Sequence, residues 1–325
     1  MFRALVAGLA LIGAGAALAG ETVTYQIRHD LTIKDIPAGA HKVQAWFWLP
    51  TTDGRQQVLD LQLREGPEGA HITHESRYGS AYLYAESTGS AFKLGTDFTV
   101  TVHEVSVPVD AARAGELTDG HRRMFAEALR RDVPNMEVTP AIEAMAKKVC
   151  GSETNVVKQA RLIYDHVRTT TNHYSKKGGP KASKIGSVDY CLANGGGSCT
   201  DQHALFSALA RARGIPTRLH FGTKLKNENL GKEVDPGYRC WVEYFTPGFG
   251  WVPADISAGN TDDKLQDFYA SGLDAHRVCW AEGRDLELTP RPEGGPVNLV
   301  IGAYVLVDGK PHTAFDRRLT FKIAP

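Results

Sequence analysis

Asn194-Gly-Gly-Gly-Ser-Cys199-Thr-Asp-Gln-His203 holds the residue types that chemistry asks for first. Three glycines allow the backbone to pass close to another group. Ser198 reads as a helix N-cap, with Asp201 three residues on to complete a capping-box-like pair. Leu205, Phe206, Leu209 and Ala212 then recur at helical spacing, and Gly214 with Pro216 marks the stop. Cys199 thereby takes the first helical position, where unpaired N–H groups and the helix dipole favour a thiolate. Such a thiol is prepared as a nucleophile, whereas a small residue at a helix start serves structure alone. A base must take its proton, and a third polar group commonly orients that base.

Five cysteines are present: Cys150, Cys191, Cys199, Cys240 and Cys279. An odd number in an oxidising compartment leaves one thiol over, and pairing among the rest is open. There is no CxxC spacing and no Cys/His cluster of the zinc type, so no metal and no cofactor is expected.

The elements that position these residues change character along the chain. Arg3 and the apolar run Ala4 to Leu18, closing on Ala17-Leu-Ala19, have the layout of a cleaved leader over residues 1–19. The run is too short and too rich in Gly and Ala for a membrane span, and no cysteine follows it to carry a lipid. An exported protein, periplasmic or secreted, is the expectation. Residues 20–110 alternate in short strands separated by Gly, Asp and Pro, which predicts an antiparallel β-sandwich. His71 and His74 fall in a polar stretch there and read as surface residues. Residues 111–325 turn to helical spacing, with helices expected at His121–Arg131, from Pro140, and from Asn155 to Val167. Beyond Pro216 come strands at Thr217–Leu225, at Tyr238–Phe245 and from Trp251 to Asp255, then closing strands near Val297–Val307 and Arg318–Ile323. Helix-borne cysteine followed by antiparallel strands makes this part α+β. Lys+Arg and Asp+Glu both number 37, so no field favours nucleic acid.

Three segments carry a resemblance: Gly197-Ser-Cys199-Thr-Asp201-Gln-His203, Arg239-Cys-Trp241-Val-Glu243, and Pro247-Gly-Phe-Gly-Trp251-Val-Pro-Ala-Asp255. In this order and spacing they resemble the transglutaminase-like superfamily, relatives of the papain-like cysteine peptidases, in its exported bacterial form. The resemblance implies a β-sandwich followed by a transglutaminase-like domain of papain-like fold. It implies Cys199 as nucleophile, a strand residue two places before Trp241 as base, and Asp255 as the acid that orients it. That base position holds Arg239, and no histidine occurs between His220 and His276. Guanidinium stays protonated and cannot shuttle protons. Arg239, Trp241 and Glu243 share one strand face, and Cys240 lies on the other, expected to point away from the site. With the base gone, no imidazole is expected within hydrogen-bond reach of Cys199. The leading expectation is a degenerate cysteine peptidase or amidase that binds a peptide or cell-wall amide with little turnover. The alternative is an active thiol hydrolase or acyltransferase with a surrogate base. His203, one turn after Cys199 on the same helix face, is the first candidate for that base, and His220 is a weaker one. Oligomeric state is open.

Overall fold

The computed structural model describes residues 18–325. The leader read in residues 1–19 therefore lies, but for its last two residues, outside the described residues. Six strands come first: β1 (Leu18–Ile33), β2 (Val43–Trp48), β3 (Gln56–Glu65), β4 (His71–His74), β5 (Ala81–Ser87) and β6 (Lys93–Ser106). Alternation sets their faces: Val23, Tyr25, Ile27, Leu31 and Ile33 of β1 are buried, whereas the Arg28 between them is exposed. Helices α1 (Asp119–Met124), α2 (Pro140–Cys150) and α3 (Val156–Thr170) follow. Thr139 caps α2 with Pro140 at its first position, and the Asn155 side chain accepts from Val157 and Lys158 at the head of α3. The helix expected over His121–Arg131 is shorter, since α1 stops at Met124 and a single 3₁₀ turn at Glu127–Leu129 replaces its end.

Next are β7 (Asn172–His173), α4 (Val188–Asn194), β8 (Gly196–Gly197) and α5 (Cys199–Ala212). Then come β9 (Thr217–Lys224), β10 (Glu233–Val234), β11 (Arg239–Thr246), β12 (Gly250–Ala254), α6 (Ile256–Thr261), β13 (Gly272–Leu273) and β14 (Arg277–Glu282). The chain closes with β15 (Ala303–Val307), β16 (Lys310–Pro311) and β17 (Phe315–Ile323).

Helix α5 is buried on every side from Cys199 to Arg211. It lies against the sheet β12-β11-β9-β14, with α2, α3, α4 and α6 packed around it. Two further sheets, β10-β17-β1-β6-β13 with β3 added on β6, and β16-β15-β2-β5-β4, enclose the core of Leu31, Ile33, Phe47, Leu83 and Val305. The N-terminal sandwich is thus present, yet the closing strands belong to it rather than to the cysteine-bearing part. β17 runs antiparallel to β1 and β15 antiparallel to β2. Their apolar alternation was legible, and their partners, about 260 residues away for β15 and almost 300 for β17, were not. The whole is α+β with mostly antiparallel sheets. No helix among the described residues is long and apolar enough to cross a membrane.

Candidate active site

The glycine run builds the site from one side. Gly195 ends α4 in the left-handed region, and Gly196 and Gly197 form β8, paired in parallel with Asn172 and His173 of β7. At Gly196, with φ +136°, an added Cβ would lie 2.0 Å from the Asn172 carbonyl oxygen. Only glycine permits that approach. The Ser198 N–H donates to the Asp201 carboxylate at 2.7 Å and the Ser198 hydroxyl at 2.9 Å, the reciprocal cap expected from sequence. Asp201 also accepts the Ser187 N–H at 2.8 Å, so one carboxylate fastens the loop, the cap and the start of α4.

Cys199 stands at the first position of α5 and is 2% exposed. Its thiol is drawn well below the usual range, first by a hydrogen bond with the Cys240 thiol. Burial opposes this, and a hydrogen bond with His173 and the charges of His203 and Arg239 reinforce it. Tyr238 stands over the group, its hydroxyl 3.3 Å from Thr200 Oγ1.

Two expectations change here. Cys240 does not point away. Its Sγ is 3.0 Å from His203 Nδ1 and 3.5 Å from Thr200 Oγ1, so its strand face is the one that meets α5. The sequence signal was available, because Cys240, Val242 and Tyr244 are the apolar, buried side of β11, whereas Arg239 and Glu243 are half-exposed. Second, an imidazole does bear on the Cys199 thiol: that of His173, which motif reading missed, helps to lower it through a hydrogen bond. Its backbone N–H donates to Asn260 Oδ1 at 2.9 Å, and its ring Nδ1 pairs with Ser175 Oγ at 2.7 Å. Nε2 is buried with no close protein partner.

Asp255 caps α6 through the Ala258 N–H at 2.8 Å and accepts the Ser257 hydroxyl at 2.7 Å. Its other oxygen takes the guanidinium of the buried Arg277, a residue that sequence motifs did not single out. Burial would raise the Asp255 carboxyl, but Arg277 and then His203 outweigh it and hold it well below its usual value. His203 Nε2 lies 3.3 Å from Asp255 Oδ1 and 3.1 Å from the Ile256 N–H. His203 therefore touches Cys240 and Asp255 directly and Cys199 only through its charge.

Arg239 donates to the Tyr238 carbonyl oxygen at 3.0 Å and lines a 210 Å³ cleft with Lys224, Lys226 and Asp235. It reaches Cys199 as a charge. His220 is not in this group: it stacks on Trp241 and pairs with Glu243 at 3.0 Å on the far face of the sheet, its Nδ1 3.8 Å from Cys279. All five cysteines are free thiols. Among the described residues no cluster is fit to hold a metal ion.

Comparison with known proteins places this geometry. Residues 143–256, from α2 into α6, match the transglutaminase-like superfamily. An uncharacterized protein of Haemophilus influenzae is 27% identical over 322 residues, spanning 86% of this chain and 85% of its own. The crystal structure of a candidate cysteine protease from Cytophaga hutchinsonii superposes with a TM-score of 0.62 at 16% identity, over 95% of this chain and 93% of that one. The periplasmic domain of TgpA from Pseudomonas aeruginosa is a looser likeness, with a TM-score of 0.38 at 16% identity over 79% of this chain and 93% of that one. The chain therefore carries a transglutaminase-like domain of papain-like fold, with Cys199, His203, Arg239, Cys240 and Asp255 all inside the matched segment.

Proposed function

We propose that this is an exported thiol hydrolase or acyltransferase that attacks a peptide or cell-wall amide through Cys199. The observation that carries the reading is a buried thiol at a helix N-terminus, drawn toward thiolate, with the His173 imidazole in reach. The thiolate attacks the amide carbonyl, and the first-turn N–H groups of α5, which lack intrahelical acceptors, face the oxyanion that forms. His173 takes the thiol proton and returns it to the leaving amine. A thioester remains, and water or an amine resolves it. Arg239 carries no proton and acts as a fixed charge beside the anion.

A second reading rests on the 2% exposure of Cys199 and on Arg239 in its 210 Å³ cleft. It is a degenerate site that holds an anionic amide without turning it over.

Turnover of small peptide amides and labelling by a thiol-directed electrophile separate the two in wild type, Cys199→Ala, His173→Gln and Arg239→His. For the enzyme, wild type hydrolyses, Cys199→Ala abolishes both readouts, and His173→Gln lowers kcat/KM by roughly 10²–10⁴-fold. Turnover that is absent from wild type and appears only in Arg239→His overturns the enzyme reading in favour of the degenerate one.

A further inference from the structure

Acyl transfer at Cys199 leaves one built group without work: the Cys240 thiol with the His203–Asp255 pair behind it. Each His203 nitrogen finds a partner in either neutral tautomer. With the proton on Nε2, that nitrogen donates to Asp255 and Nδ1 accepts from the Cys240 thiol. With the proton on Nδ1, it donates to the Cys240 sulfur and Nε2 accepts the Ile256 N–H. A ring satisfied in both states moves a proton at little cost, as a base must. The group it serves is the Cys240 sulfur, which lies 3.5 Å from the Oγ1 of Thr200, the residue next to Cys199, and lowers the Cys199 thiol through a hydrogen bond.

We propose that Cys240 is a resolving thiol for Cys199, and that hydrogen peroxide joins the two in a reversible disulfide that closes the nucleophile. The proposal rests on Cys199 being the reactive thiolate of the function proposed above, though not on any amide being turned over. Cys199 thiolate attacks one peroxide oxygen: an S–O bond forms, the O–O bond breaks, and hydroxide leaves. The sulfur is oxidised by two electrons to a sulfenic acid and the peroxide is reduced. His203 Nδ1 then takes the Cys240 proton, and the Cys240 thiolate attacks the Cys199 sulfur. The S–S bond forms, the S–O bond breaks, and the departing hydroxide collects the proton from His203 as water. Two thiols and one hydrogen peroxide thus give one disulfide and two waters, and an added dithiol reverses the bond by exchange.

The unequal thiols suit these roles. Cys199 is the attacking sulfur, whereas burial and then the neighbouring Cys199 hold the Cys240 proton on until a base removes it. Cys150, Cys191 and Cys279 are all raised by burial and make poor competitors. The 2% exposure of Cys199 favours a reagent of the size of hydrogen peroxide over a bulky one.

The test treats the reduced full chain with hydrogen peroxide, alkylates free thiols after denaturation, and maps the products by mass. Wild type should lose the Cys199 and Cys240 thiols together and regain both with dithiothreitol. Cys240→Ala should stop at a sulfenic acid on Cys199 that dimedone traps. His203→Gln should form the sulfenic acid somewhat more slowly, because the His203 charge helps to lower the Cys199 thiol, but close the disulfide roughly 10²-fold more slowly once that acid has formed, and more slowly still at lower pH. A wild type that keeps Cys240 alkylatable while Cys199 oxidises, or that pairs Cys199 with another cysteine, overturns the proposal even if Cys240→Ala does not fold. A disulfide in a protein without amide turnover supports the thiol pair and refutes only the acyl-transfer reading. Turnover without a disulfide does the reverse.

Discussion

At the scale of single residues the site runs on charges placed around one sulfur. Arg239 cannot replace a base, but its charge helps hold Cys199 as thiolate from the rim of the cleft. Arg239→Gln removes that charge, so the thiol must be titrated at higher pH. The midpoint of labelling rate against pH should move upward in Arg239→Gln, with the plateau rate at high pH preserved. An unmoved midpoint would show that Cys240 and His173 do all the lowering. Cys199 and Asp255 were legible in the sequence because a cap, a helix start and a strand end are local signals. His173 was not, because nothing around Thr171-Asn-His-Tyr174 announces chemistry until β7 is paired with the glycine run. Cys240 was misplaced for another reason. Alternation divided the faces of β11 correctly, but the base position of the resembled family outweighed the apolar pattern in deciding which face meets α5.

At the scale of elements the glycine run is the hinge between nucleophile and imidazole. β8 fixes β7, β7 fixes His173, and the Ser198–Asp201 cap fixes the first turn of α5. Neighbouring glycines separate these demands. At Gly195 a Cβ meets nothing within 4 Å, so alanine there pays only for left-handed backbone, about 1–2 kcal/mol. At Gly196 a Cβ would strike backbone at 2.0 Å, and β7 must retreat. Gly196→Ala is therefore expected to lose more stability than Gly195→Ala and also to slow Cys199 labelling, because His173 retreats with its strand. Denaturant midpoints and labelling rates measured on both variants decide it. Equal labelling in the two would mean that His173 does not depend on the loop. The close approach itself was readable from three consecutive glycines, whereas its partner, Asn172, was not.

At the scale of the whole molecule the chain is interlocked, and one buried histidine sits where its parts meet. β1 lies between β6 and the closing strand β17, while Trp280 of β14 packs on Trp48, Phe98 and His29. His29 is 1% exposed, lies 4.3 Å from Phe47 and 4.6 Å from Trp280 between ring centroids, and has no partner on either nitrogen. Burial, and then the charge of Arg317, push it down from 6.5 to about 3. Between these values the unfolded chain binds a proton that the folded chain refuses. Stability must therefore fall as pH drops below 6.5, by about 1.4 kcal/mol per unit for this one group. His220 has the opposite sign. Burial lowers it, but Glu243 and Cys279 raise it well above 6.5, so its contribution is complete below 6.5 and is lost as pH rises through its folded value. The Asp255 contribution persists until pH falls below the ordinary carboxylate value of 3.8. From pH 6.5 to 4.5 the fall thus comes from His29, with a smaller part from the half-buried His166, which burial also lowers, while Glu75, Glu127 and Glu282, raised by burial, work against it as the folded chain takes up their protons first. Replacing the ring by an apolar side chain removes both the proton uptake and two buried nitrogens without partners. His29→Leu is expected to flatten the fall in unfolding free energy over that interval, read from denaturant midpoints at half-unit steps of pH. A variant as acid-sensitive as wild type would place the proton uptake elsewhere and leave the His29 ring a neutral spacer between the sheets.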